Sequence, residues 1–175
     1  DLPADRAALY SFVAALALHD VLTALTAGPF ALKWPNDVLL DGGKVAGILL
    51  ESVGSTNRLD RLVIGFGVNL ARVPDGVSEA ALPPVALGLD IAPEAILDRL
   101  APAFAAREAI FRKEGFAPVR DAWLARAARL GERVTARTPR EIRQGVFEDI
   151  DASGALVLGT PSGRDTVAAA DVFFA

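Results

Sequence analysis

Two hydrophobic periods run along this chain, and the places where one gives way to the other mark its elements. Residues 5–27 carry Leu9, Phe12, Val13 and Leu16 at helical spacing, with Asp20, Thr23 and Thr26 on other faces, which predicts a helix. Gly28-Pro29 stops it. Short β-rich runs follow at 30–34 and 38–40, separated by Pro35-Asn36-Asp37. Asp41-Gly42-Gly43 is a hairpin signal before an apolar strand at 45–50, and a polar turn at 52–60 leads to a further strand at 62–70. Strands in such close succession predict an antiparallel meander packed under the first helix.

Residues 71–90 hold Pro74, Asp75-Gly76 and Pro83-Pro84 and read as irregular. A helix is expected from Pro93 to about Glu114, with Pro102 kinking or splitting it, and a second one over 118–129. Beyond Leu130-Gly131 the period returns to two, at 134–138, 142–150, 155–158 and 166–174. Four or five short strands in so few residues predict a small, partly open β-barrel. The expected fold class is α+β, a mixed or antiparallel sheet packed on helices, with two domains: 1–130 and 131–175.

Composition narrows the chemistry. Hydrophobic residues make up 52% of the 175 positions and charged residues 23%, enough apolar material for a sizeable core. Twenty-two acids against 18 bases give a net charge of -4, so there is no basic footprint for nucleic acid. With no cysteine, thiolate metal sites and cysteine nucleophiles are excluded. A single histidine, His19, makes a histidine metal centre or a Ser-His-Asp triad hard to build, and it reads as a packing or surface residue. Chemistry must then rest on carboxylates, lysines, amides and backbone groups. No run resembles a signal peptide or membrane span, so a soluble, cytoplasmic protein is expected. The chain opens Asp-Leu-Pro without methionine and reads as a fragment.

The most informative segment is Lys33-Trp34-Pro35-Asn36-Asp37, followed by Lys44-Val45-Ala46-Gly47. An amide beside a carboxylate suits a hydrated Mg²⁺ and its phosphate, and Lys44 after the hairpin turn can reach back toward them. Gly47 lets a ligand lie against the strand. A plain turn, an exposed hairpin lysine and a bulge glycine are the structural alternative. In Gly65-Phe66-Gly67-Val68-Asn69 the two glycines share one strand face, which invites either a flat ligand or a closely packed helix; Asn69 lies on that face too.

KWPND, GGKVAGILLES and GFGVNL, in this order and with these gaps, resemble the catalytic domain of biotin protein ligases (biotin–[acetyl-CoA-carboxylase] ligases), and GVFEDIDASGALVL resembles their C-terminal SH3-like β-barrel. The resemblance implies a class II synthetase-like catalytic domain that activates biotin with ATP as biotinyl-5′-AMP. The biotinyl group then passes to a lysine of a biotin carboxyl carrier protein domain of acetyl-CoA carboxylase or a related carboxylase. It implies catalytic roles for Lys44, Asp37 and Asn36, biotin contacts at Lys44, Gly47 and Trp34, nucleotide contacts at Asn36, Asn69, Gly67 and Lys33, and Mg²⁺ at Asp37 as the counterion of ATP. Homodimers are common in the family. DNA binding, known in some members, has no support in the visible residues. The family's Gly-Arg-rich loop and its Ser-Thr-Asn segment do not occur ahead of the first helix, and Gly54-Ser55-Thr56-Asn57 reads as a turn. A noncatalytic biotin- or carrier-binding module of the same fold, and a lipoate or octanoyl ligase-like enzyme, are the alternatives; KWPND and KVAGIL argue against the last.

Overall fold

The computed structural model describes residues 4–54, 59–73 and 82–174. The first helical stretch forms α1 (Ala4–Ala7) and α2 (Tyr10–Leu25). Tyr10 through Leu18, then Val21 and Leu22, are all buried, so α2 is enclosed nearly all round and forms the axis of the fold. Its last turn closes with the Thr26 amide donating to the Leu22 carbonyl at 3.1 Å, ahead of Gly28-Pro29.

β1 (Phe30–Lys33), β2 (Asp37–Leu40), β3 (Gly43–Gly54) and β4 (Leu59–Val68) form an antiparallel sheet in chain order. Asp41 and Gly42 both take positive φ, 50° and 75°, as a two-residue type I′ hairpin turn requires. Two rows cross this sheet. Leu32, Val38, Ala46 and Val68 are successive cross-strand partners, and all four join the core around α2. Lys33, Asp37, Gly47 and Gly67 form the adjacent row, on the opposite face. Residues 55–58 of the expected turn, and 74–81 of the irregular stretch, lie outside the described residues.

α3 (Pro93–Glu114) passes through Pro102 without being split. The carbonyl that Pro102 leaves without a donor belongs to Asp98, which is exposed, so water can satisfy it. Gly115, at φ 82°, turns the chain into α4 (Phe116–Leu124). Arg107 grips Asp20 with two hydrogen bonds of 2.8 and 2.9 Å, and the Tyr10 ring meets Phe111 edge-on, which together fix α3 on α2. After Pro118, Arg120 binds Asp149 through both carboxylate oxygens, at 2.8 and 2.7 Å.

β5 (Arg133–Arg137), β6 (Ile142–Ile150), β7 (Leu156–Thr160), β8 (Gly163–Val167) and β9 (Asp171–Phe174) make a second antiparallel sheet, ordered β8-β7-β6-β5-β9. The expected SH3-like β-barrel is not closed. The sequence run at 166–174 divides into two strands, and residues 168–170 carry the chain across to β5, where Val134–Arg137 pair with Phe174–Asp171. No pairing joins β8 to β9 among the described residues. Closure is not needed to hide the apolar face. Val134, Phe147, Ile150, Leu156 and Leu158 share one core with α2, and Trp123 stands between Phe12 (5.4 Å) and Phe147 (6.5 Å). Among the described residues no helix is long and apolar enough to cross a membrane.

Candidate active site

Lys44 and Gly47 are three residues apart on β3, an odd spacing that alternation would place on opposite faces. A β-bulge alters this. Val38 pairs with Ala46 but Leu39 pairs with Lys44, so Val45 is the extra residue. The slip returns Lys44 to the face that bears Asp37 and Gly47. Its ammonium lies 2.6 Å from Asp37 Oδ1, and the same carboxylate meets Lys33 Nζ through Oδ2 at 3.5 Å.

Burial sets the roles of the two lysines apart. Lys33 is 6% exposed and Asp37 8%, whereas the Lys44 side chain is 43% exposed. Burial lowers the Lys33 pKa below its usual value, and Asp37 offsets part of that fall. At contact distance the cluster carries two positive charges against one negative, with Asp171 acting on Lys33 from further away. Such an arrangement favours an incoming anion, since a carboxylate or phosphate at Lys44 would complete the balance.

Gly47 makes the Lys44–Asp37 contact possible. A Cβ there would sit 3.3 Å from Lys44 Cε and Nζ and 3.5 Å from Asp37 Oδ1. Next to it, a Cβ on Gly65 or Gly67 would meet only Leu49 and the Gly47 carbonyl, at 3.8–3.9 Å. Packing does not demand those glycines; they leave a flat backbone ledge. No helix covers it among the described residues. A groove of about 500 Å³ runs along it, lined by Asn36, Lys44, Gly47, Ile48, Leu49, Gly65, Phe66 and Gly67.

Of the residues singled out in the sequence, Asn36, Asp37, Lys33, Lys44, Gly47 and Gly67 come together at this groove or its floor. Asn36 is pinned to β3: its side-chain amide donates to the Ile48 carbonyl at 2.7 Å, and its own carbonyl accepts the Ile48 amide at 2.9 Å. Asn69 is committed elsewhere. Its amide nitrogen donates to the carbonyls of Val85 (2.9 Å) and Lys44 (3.4 Å), tying residues 83–87 to β3 beyond the end of β4. Trp34 is not a groove residue. It is 3% exposed, lies in the core, and donates its indole N–H to the Gly154 carbonyl at 3.0 Å.

Mg²⁺ at Asp37 does not fit. Both carboxylate oxygens already face ammonium groups, which would repel a divalent cation, and no group of three or more acidic or histidine side chains could hold a metal among the described residues.

Three other participants were not singled out for the site: Val45 as the bulge, Ser11, whose hydroxyl donates to the Pro35 carbonyl at 3.2 Å, and Gly154. Ser11 and Gly154 act through partners remote in sequence, and only the Gly in Asp151-Ala152-Ser153-Gly154 carried a local turn signal.

Comparison with known proteins places the chain among its relatives. Residues 2–69 match the Biotin/lipoate A/B protein ligase family, and residues 130–175 match the Biotin protein ligase C terminal domain. A biotin--[acetyl-CoA-carboxylase] ligase of Paracoccus denitrificans is 56% identical over 96% of this chain and 73% of its own length. One from Mycobacterium tuberculosis is 35% identical over 98% of this chain and 64% of its length. The fold also matches a biotin protein ligase from Aquifex aeolicus in complex with biotin and ATP, with a TM-score of 0.77 at 23% identity, covering 94% of this chain and 70% of that one. Identity of this level over nearly the whole of the chain, on top of the shared fold, makes it a member of the biotin protein ligase family.

Proposed function

We propose that this protein is an ATP-dependent biotin–[acetyl-CoA-carboxylase] ligase, and that the observation carrying this reading is the Lys33–Asp37–Lys44 cluster at one end of a bare glycine ledge. In the first step a biotin carboxylate oxygen attacks the α-phosphorus of ATP. The bond from that phosphorus to the bridging oxygen breaks, and pyrophosphate leaves. In the second step a carrier lysine amine attacks the acyl carbon of biotinyl-5′-AMP. The acyl C–O bond breaks, AMP departs, and the amine loses a proton as the amide forms. Both steps gather negative charge on acyl and phosphate oxygens, which positioned cations and donors stabilise.

Lys44, the more exposed ammonium, contacts the biotin carboxylate and then the acyl phosphate. Asp37 aims it, and Gly47 lets the biotin ring lie along the strand. Lys33 and Asn36 serve the phosphate side, Gly67 borders the nucleotide, and Asn69 acts there through the 83–87 segment it anchors. Mg²⁺ enters as the counterion of ATP, not as a resident ion. The acceptor is a biotin carboxyl carrier protein domain, and the site of action is the cytoplasm.

The test uses the full-length protein with biotin, α-labelled ATP and a carrier domain. Biotin-dependent biotinyl-5′-AMP and labelled carrier are expected, and Lys44→Ala lowers adenylate formation about 100-fold. Biotin binding without adenylate would make the protein a noncatalytic module, and transfer of lipoate or octanoate instead would move it to the sister enzymes.

A further inference from the structure

Trp34 stands one residue after Lys33 and two before Asn36, yet its side chain turns away from the groove into the core. Its indole N–H meets the Gly154 carbonyl, 120 positions later in the chain, at 3.0 Å. The turn that carries this carbonyl joins β6 to β7 and is built to hold it still. Asp151 accepts hydrogen bonds from the Ser153 amide (2.8 Å), the Ser153 hydroxyl (2.6 Å) and the Ala155 amide (3.0 Å). Gly154 sits at φ 87°, and a Cβ there would press on Leu9 and Phe12 of the α2 region at 3.0 Å, so the turn lies flush on that helix. Ser11 of the same helix holds the Pro35 carbonyl. The segment from Lys33 to Asp37 is therefore tied to both the central helix and the second sheet.

We infer that Asp151 and Gly154 are positioning residues for the groove: their turn holds Trp34, and Trp34 sets where Asn36 and Asp37 stand against Lys44. This rests on the groove being the biotin-activating site. Because displacements of well under an ångström matter when a charge must meet a developing oxyanion, a loosened turn slows the chemical step more than it weakens substrate binding.

Asp151→Ala and Trp34→Phe, alone and combined in the full-length protein, test this. Each single change is expected to lower kcat for adenylate formation about tenfold, with KM for biotin and ATP held within about twofold. The double variant loses no more than either single one, and Asp151→Asn, which keeps the accepting oxygen, restores kcat. Additive losses, losses confined to KM, or full activity in Asp151→Ala overturn the inference. Two NMR signals separate it from the assignment of the reaction: the Trp34 indole proton, one of two in the chain, and the Asp37 carboxyl carbon. Asp151→Ala should speed exchange of the first and shift the second, while Asp151→Asn does neither. A wild-type protein that makes no adenylate sinks the biotin reading alone; unchanged NMR signals in Asp151→Ala sink the positioning role.

Discussion

Lys44 and Gly47 face the same side of β3 because a bulge at Val45 cancels the odd spacing between them. The ammonium then crosses the space that a side chain at position 47 would fill. Gly47→Ala places a methyl 3.3 Å from a flexible, half-exposed lysine end, which can move aside. The fold should survive with a nearly unchanged melting temperature, while kcat/KM for biotin falls about tenfold as the Lys44–Asp37 contact opens. Thermal melts alongside steady-state kinetics check both parts.

Asp37 and Lys44 should separate cleanly in stability measurements. Asp37→Asn leaves Lys33 buried without its carboxylate, a loss of about 3 kcal/mol in denaturant unfolding. Lys44→Ala removes the exposed partner and costs less than about 1 kcal/mol, although it abolishes most activity. Equal destabilisation by the two would contradict the burial difference between the lysines.

Asn69→Ala should behave as a structural lesion. Its amide holds the Val85 and Lys44 carbonyls, so the variant loses about 1–3 kcal/mol and its backbone amides at 85–87 exchange faster with deuterium. A change in ATP affinity with no change in exchange would instead point to direct contact with the nucleotide.

His19 provides a pH prediction with a single reporter. Burial, then the nearby Arg126, lowers its pKa below 6.5, against an opposing effect of Asp20. Between the folded value and about 6.5 the unfolded chain binds more protons, so stability rises with pH in that window and is lost as pH falls through it. The one imidazole signal in the proton NMR spectrum should titrate below 6.5, and His19→Gln should flatten the stability slope there.

What the sequence revealed was whatever local chemistry decides. Gly28-Pro29, Asp41-Gly42 and Gly115 end or turn elements through their own backbone preferences, and each does so here. KWPND and KVAGIL pointed to the groove because four of their residues share a row or a bulge. The failures have tertiary causes. Pro102 was expected to kink or split α3, and it does not split it, because the residue whose carbonyl it strands is exposed. Trp34 was expected at the pocket, yet which way a turn tryptophan points depends on an acceptor in the other sheet. A small, partly open barrel was expected from strand count, while β9 found its partner in β5 and the helices supplied the lid for the sheet's apolar face.

The column of rings from Phe12 through Trp123 to Phe147 belongs to both sheets at once. Heat or urea should therefore take the protein apart in a single step, with near-ultraviolet circular dichroism and far-ultraviolet signal vanishing together. Two fragments cut at residue 130 would each show water a face meant for the other, and should clump when made separately but recombine when refolded side by side.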